Sequence, residues 1–284
     1  MPAGSGTAGA AAGVVLVLSG GGAKAAAHIG AWRALAEAGL APERVVATSM
    51  GAVLGAALAA GITPDRLLDQ LVTIGARGIV RRRLAPLGGL WLRSLLRPAP
   101  FRSALEALVP ARCFDELRPV LTVTAVDLDS GALVAFGAGG RDVPLLDALT
   151  ASCALPLYYP GVTLDGRRYG DGGLRAVLPI ELAGGEGTRL VVAVDVGSGF
   201  DESAVTAAGA GVPPLVRAYN DATGILMAGT TALQLALWAA TPGRPSLVHV
   251  RPAVERDATF RVDRVLAYAE EGYRATRASL AARR

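Results

Sequence analysis

Twice within residues 14–61 a short run of aliphatic and β-branched residues stops at a turn of small residues and passes into a helix. Val14–Leu18 leads through Ser19-Gly20-Gly21-Gly22-Ala23-Lys24 into a helical stretch over 25–38 that Gly39 closes. Residues 45–47 lead through Thr48-Ser49 into a second helical stretch over 50–60, closed by Gly61. Strand, helix, strand, helix with connections this short demands parallel strands joined by right-handed crossovers. The two turns then fall at one edge of the sheet. The second helix is apolar on every side and carries Gly51 and Gly55, so it is expected to lie tightly buried on the sheet.

The rest of the chain continues this pattern. Pro64 opens a helix to about residue 75, and residues 120–126 and 132–136 form strands around the turn Asp129-Ser130-Gly131. Pro144 opens a short helix ending near Cys153, and residues 162–169 hold a hairpin around Asp165-Gly166. A buried strand at 190–196, a helix over 212–240, a strand at 247–250 and an amphipathic helix over 262–282 complete the reading. The expected fold is α/β, a three-layer α/β/α sandwich with a mostly parallel central sheet. With 284 residues, 52% of them apolar, one core suffices. Residues 1–13 read as a flexible tail and 14–284 as one domain, its motifs within 14–196 and its completion in 197–284. The tail lacks the basic start of a signal peptide, so the expected location is cytoplasmic. The apolar run 225–240 is interrupted by Thr230, Thr231 and Gln234, and predicts an interior helix rather than a membrane span.

Charge excludes some partners. Twenty-eight Lys and Arg against 24 Asp and Glu leave a net charge of only +4, too weak and dispersed for nucleic acid. Cys113 and Cys153 have no metal-ligand spacing and read as small core residues. Residues 79–101 interleave Arg81, Arg82, Arg83, Arg93 and Arg97 with leucines and Trp91, a mixture that suits an anionic lipid surface, a lid over an apolar cleft, or an ordinary surface helix and loop.

The glycine turn at 20–22 precedes a helix, so its amides and the helix dipole favour an anion. It formally fits a dinucleotide fingerprint, but the position that needs an acid after the second strand holds Thr48 and Ser49. It fails as a nucleotide-phosphate loop because no Ser or Thr follows Lys24, the one lysine of the chain. An oxyanion hole beside Ser49 remains. Ser49 itself sits in Ala47-Thr48-Ser49-Met50-Gly51, a nucleophile elbow with alanine in the first glycine position. Its base is open at this point. His28 lies on the inward side of a helix and reads as structural. Ser49, Asp195 and His249 follow the chain order of a hydrolase triad. Asp171, between Gly170 and Gly172-Gly173, offers a carboxylate that desolvation could turn into a base.

Three blocks together resemble the patatin-like phospholipase family. They are Leu18-Ser19-Gly20-Gly21-Gly22-Ala23-Lys24 with His28-Ile29-Gly30, then Ala47-Thr48-Ser49-Met50-Gly51-Ala52, then Ala151-Ser152-Cys153-Ala154-Leu155-Pro156 leading into Asp165-Gly166-Arg167-Arg168-Tyr169-Gly170-Asp171-Gly172-Gly173. The resemblance implies a lipid acyl hydrolase with Ser49 as nucleophile, Asp171 as base, and Gly20, Gly21, Gly22 and Lys24 around the oxyanion. It implies no metal and no organic cofactor and a lipid ester as substrate; peripheral contact with a membrane surface is the expectation that residues 79–101 add. Ala47 and Ala25 stand where the family usually has glycine, which keeps a catalytically silent lipid-binding protein as the alternative. Oligomeric state, head group and acyl length are not encoded in these motifs.

Overall fold

A computed structural model of the chain describes residues 13–76, 94–197, 213–255 and 259–283. The elements are β1 (Val14–Leu18), α1 (Ala27–Glu37), β2 (Arg44–Thr48), α2 (Met50–Ala59), α3 (Pro64–Ala76), α4 (Pro98–Leu108), β3 (Val120–Asp127), β4 (Leu133–Gly137), α5 (Leu145–Ser152), β5 (Val162–Leu164), β6 (Arg167–Asp171), β7 (Leu190–Val194), α6 (Pro214–Ala240), β8 (Ser246–Val250) and α7 (Val265–Ala281). Hydrogen-bonded neighbours in the sheet run β5-β6-β3-β2-β1-β7-β8, with β4 also on β3. The pairs β2/β3, β1/β2, β1/β7 and β7/β8 are parallel, and those made by β4, β5 and β6 are antiparallel. The mostly parallel α/β sheet expected from the alternating pattern is therefore present, with helices on both faces.

β1 sits between β2 and β7, so the chain leaves it in both directions and a crevice opens beyond its carboxyl end. Its side chains supply both layers. Leu16 and Leu18 join the larger core with α1 and α2, while Val15 and Val17 join Leu178, Ile180 and Trp238 on the other face. A strand buried on both faces must read as an unbroken apolar run, and Val14–Leu18 does.

The register of β3 decides what stands at the crevice. Thr124 pairs with both Thr48 of β2 and Ala135 of β4, so β2 and β4 occupy opposite edges of β3. Ala125, one residue on, pairs with both Val134 of β4 and Asp171 of β6. β6 therefore takes over the edge that β2 leaves when its chain turns away at Ser49. Thr48 and Asp171 become successive neighbours along one edge.

Several expectations are corrected. Gly22–Ala26 forms a turn of 3-10 helix before α1, so α1 starts at Ala27 rather than 25. Part of segment 79–101 is helical: Pro98 occupies the first turn of α4, whose Leu105 and Leu108 are buried. Residues 79–93, with Arg81, Arg82 and Arg83, lie outside the described residues, as do 1–12 of the tail. Cys113 is exposed rather than core, because it starts a short turn where Glu116 accepts from its N–H; Cys153 is buried. The run 225–240 is not interior. Trp238 packs inward, but Ile225, Leu226, Leu233 and Leu237 of α6 are 56%, 70%, 73% and 66% exposed. A run with so few polar residues carries little angular information, and so could not tell an enclosed helix from one covering the outside of a layer.

Candidate active site

Ser49 ends β2 and precedes α2 with φ 54° and ψ −133°, a left-handed conformation that a side chain adopts at a cost of about 1–3 kcal/mol. The surroundings enforce it. Its N–H donates to Ser152 Oγ at 2.7 Å, and its C=O accepts from Ala52 N at 2.9 Å. The turn also requires α2 to start hard against β1: a Cβ on Gly51 would stand 2.4 Å from the Ser19 carbonyl oxygen.

This bend lifts the Ser49 hydroxyl toward β6, where Oγ donates to Asp171 Oδ2 at 2.7 Å. Oδ1 of the same carboxylate accepts from Gly173 N at 2.8 Å, and the Asp171 amide donates to Ala154 O at 3.0 Å. Asp171 is buried, and burial raises its pKa from 3.8 to about 6 against the lowering effect of the Gly173 and Ser49 hydrogen bonds. Behind the pair, Thr48 Oγ1 and Thr124 Oγ1 lie 2.6 Å apart, and Thr48 Oγ1 also reaches Ala176 O at 3.1 Å. This buried link ties β2 to β3 and to the chain after β6.

The glycine turn borders the same cavity. Gly20, Gly21, Gly22 and Lys24 line it together with Ser49 and Asp171. Gly20 gives up its amide to Val177 O at 3.0 Å, and Ala23 gives its own to Thr259 O at 2.8 Å. Among the described residues the Gly21 and Gly22 amides have no such acceptor. Gly20 acts through its missing side chain, since a Cβ there would meet Ser49 Cβ at 3.2 Å. Lys24 is buried, with 2% of its surface exposed.

Neither histidine stands beside Ser49's hydroxyl in the way Asp171 does. His28 is fully buried, and its Nε2 bonds the Ser19 carbonyl at 2.8 Å; burial drops its pKa to about 4, so it stays neutral and donates. That bond fixes the residue ahead of the glycine turn. His249 belongs to β8, three strands from β2, a separation of roughly 14 Å at the usual strand spacing. Its Nε2 lies 3.3 Å from Asp195 Oδ2, which also pairs with Arg251 Nη1 at 2.6 Å. Burial alone would raise the Asp195 carboxyl, but His249 and Arg251 hold it below its ordinary range. Asp195 and His249 thus form a separate cluster at the end of β7 and β8.

The cavity measures about 240 Å³ and is walled mainly by hydrocarbon: Leu54 from α2, Leu71 and Ile74 from α3, Leu105 and Leu108 from α4. The reading of 79–101 as a cover for an apolar cleft reached Phe101 at the start of α4, but sequence reasoning missed the share of Leu105 and Leu108 in this wall. It also missed Ser152, whose place in the Ala151-Ser152-Cys153 block gave no sign that it would hold the Ser49 amide. Cys153 lines the cavity too, and burial pushes its thiol well above the ordinary range, leaving it protonated.

The patatin-like phospholipase family pattern matches residues 16–183, more than half of the chain and the part that carries the whole constellation. The chain belongs to the patatin-like phospholipase family. Members are generally hydrolases of lipid esters. An uncharacterized NTE family protein of Mycobacterium tuberculosis H37Rv is 33% identical over 183 residues, covering 64% of this chain and 49% of its own. Patatin-like phospholipase domain-containing protein 7 of Rattus norvegicus is 30% identical over 201 residues, covering 68% of this chain and 14% of its own. The chain thus spans about half the length of the mycobacterial relative and a much smaller part of the mammalian one. The crystal structure of VipD from Legionella pneumophila superposes over 95% of this chain and 67% of its own, at 14% identity and a TM-score of 0.47.

Proposed function

We propose that the chain is a serine acyl hydrolase of lipid esters that works with a Ser49–Asp171 dyad and no histidine. The observation that carries this reading is the 2.7 Å hydrogen bond from Ser49 Oγ to a buried carboxylate, inside a cavity walled by leucine. An ordinary carboxylate is too weak a base near neutrality, whereas one with a pKa of about 6 is poised to accept a proton. Ser49 Oγ attacks the ester carbonyl as its proton passes to Asp171 Oδ2. The C–O bond to the alcohol then breaks, and protonated Asp171 returns the proton to the departing oxygen. Water, deprotonated by the same carboxylate, releases the fatty acid from the acyl-serine. The tetrahedral oxyanion is met by the Gly21 and Gly22 amides, with Lys24 supplying positive charge; each well-aimed donor is worth roughly 2.7–4 kcal/mol. Gly20 shapes the turn and donates elsewhere. The substrate's acyl chain takes the aliphatic part of the cavity, and access to such a substrate calls for contact with a membrane surface.

The test uses a soluble short-chain chromogenic ester and a fluorophosphonate label. Ser49→Ala is expected to lose both turnover and labelling, and Asp171→Asn to lose turnover by about 10³-fold or more. Wild-type kcat should fall as pH drops through about 6, where Asp171 becomes protonated and can no longer accept. Full turnover by Asp171→Asn, or a dead His249→Ala variant with intact folding, would sink the dyad.

A further inference from the structure

Helix α6 has two unlike sides. Gly224, Thr231 and Trp238 are buried against the domain, and Met227, on the same side, lines the cavity beside Asp171. The other side carries Leu215, Ile225, Leu226, Leu233 and Leu237, all between 56% and 78% exposed. Spacings of eleven, seven and four residues put Leu215, Leu226, Leu233 and Leu237 on one stripe, with Ile225 at its flank. From residue 222 to 240 the helix has no Asp, Glu, Lys or Arg, a length of about 28 Å. An uncharged outward stripe of that length is far more than the scattered leucines of an ordinary surface.

The polar groups near the stripe behave as they would in an apolar medium. Thr223 Oγ1 donates to Tyr219 O at 2.8 Å, Thr230 Oγ1 to Leu226 O at 2.9 Å, and Thr241 Oγ1 to Leu237 O at 2.7 Å. Each hydroxyl is satisfied within the helix and asks nothing of solvent. Charge returns only at the ends, with Arg217 and Asp221 in the first two turns of the helix and Arg244 just past it, where Arg244 stacks 4.8 Å over the Trp238 ring. An uncharged middle of this length suits a layer of hydrocarbon.

We propose that the outward face of α6 is a lipid-docking surface that lies flat in the membrane interface. Because its inner side is packed on the domain and borders the cavity, the helix cannot cross a bilayer without leaving its seat. It places the membrane one helix diameter, about 10–12 Å, from the cavity. The choice of a lipid surface over a second copy of the chain rests on the lipid-ester reading and on the outward side chains, which are aliphatic and lack any group that would set the register of a protein partner. Docking by such a face needs no anionic lipid, unlike docking by the basic segment 79–93.

The experiment compares the wild type with the triple variant Leu226→Glu, Leu233→Glu, Leu237→Glu in sedimentation with phosphatidylcholine vesicles, with and without phosphatidylglycerol. The wild type is expected to bind both vesicle types, and the variant to bind at least about tenfold more weakly, since binding follows buried apolar area. Hydrolysis of the soluble short-chain ester should be unchanged, because these three side chains do not line the cavity. A second variant guards against misfolding: Leu233→Cys in a Cys113→Ser background, labelled with a polarity-sensitive dye, should shift to the blue on phosphatidylcholine vesicles. Equal binding by the triple variant, no dye shift, or failure of the wild type to bind overturns the proposal. So does a wild-type dimer that the triple variant breaks, since the face would then be covered by a second copy. A wild type that docks through α6 yet hydrolyses no ester would leave the docking surface standing and remove the lipid-ester reading.

Discussion

Helices α2 and α6 look alike as sequences. Neither α2 nor residues 222–240 of α6 carries a charge, and both contain glycine among alanines and leucines. They end in opposite places: every residue of α2 after Met50 is buried, whereas only Gly224, Thr231 and Trp238 of α6 are. The glycines record the difference. A Cβ on Gly51 would stand 2.4 Å from a backbone oxygen and one on Gly55 3.2 Å from Leu18 Cδ1, but one on Gly229 of α6 would meet nothing within 4 Å. Apolarity says that a helix avoids water; what it meets instead is set by its connections. Only Ser49 separates α2 from β2, so α2 has no room to lie anywhere but on the sheet and behind the Ser49 hydroxyl. α6 enters from a longer connection after β7 and covers the outside of a layer already closed by Leu178 and Ile180.

The strongest way to break this contrast is Gly51→Ala. The methyl group must displace the Ser19 backbone, whose carbonyl also holds His28 Nε2 at 2.8 Å. Neither partner is the loose end of a flexible chain. We expect a loss of about 3 kcal/mol in denaturant unfolding, at the upper end for overpacking, and a fall in ester turnover because the glycine turn moves with Ser19. Wild-type stability in this variant would mean that α2 does not bear on β1 as described.

Truncating one leucine in each helix gives a comparison of similar size that leaves the backbone in place. Leu54 of α2 is 1% exposed and borders the cavity, so Leu54→Ala should cost about 2–5 kcal/mol in chemical denaturation. Leu237 of α6 is 66% exposed, and Leu237→Ala should stay within about 0.5 kcal/mol of the wild type. Equal costs would erase the distinction between the enclosed helix and the open one.

The same contrast explains what could be read from the sequence. Local signals were legible: the strands read at 14–18 and 45–47, the second of which runs one residue further at each end, the glycine turn, the serine on its bend, and the Asp165-Gly166 hairpin, where both residues adopt positive φ. These depend on a few consecutive residues whose backbone demands are specific. The closeness of Ser49 and Asp171 was not legible in geometry, because it arises when β6 replaces β2 along one edge of β3, a pairing between segments more than forty residues apart. Resemblance supplied that pairing in advance; spacing could not. Ser152 shows the limit from the other side. Its hydroxyl holds the Ser49 amide from 103 positions away, and nothing in its neighbours differs from an ordinary helix end. The outward stripe of α6 was missed because the run has few polar residues and two of them, Thr231 and Gln234, turn toward the domain, the reverse of the usual pattern.

Gly229→Ala completes the contrast at its smallest scale and with the opposite sign to Gly51→Ala. The added methyl group enters open space, and φ at Gly229 is helical, so no strain opposes it. Alanine restricts the unfolded chain and favours the helix, an advantage of about 0.5–1 kcal/mol at an exposed helical position. The variant should therefore unfold at higher denaturant with an unchanged slope, hydrolyse the soluble ester at the wild-type rate, and bind phosphatidylcholine vesicles at least as well as the wild type. A glycine that costs stability and touches no residue of the domain is tolerable on a face that meets a fluid partner, which has no fixed shape to fit. If Gly229→Ala instead lowers stability, or breaks an assembly of the wild-type chain, that face is packed against protein and the difference between α2 and α6 is one of partner rather than of exposure.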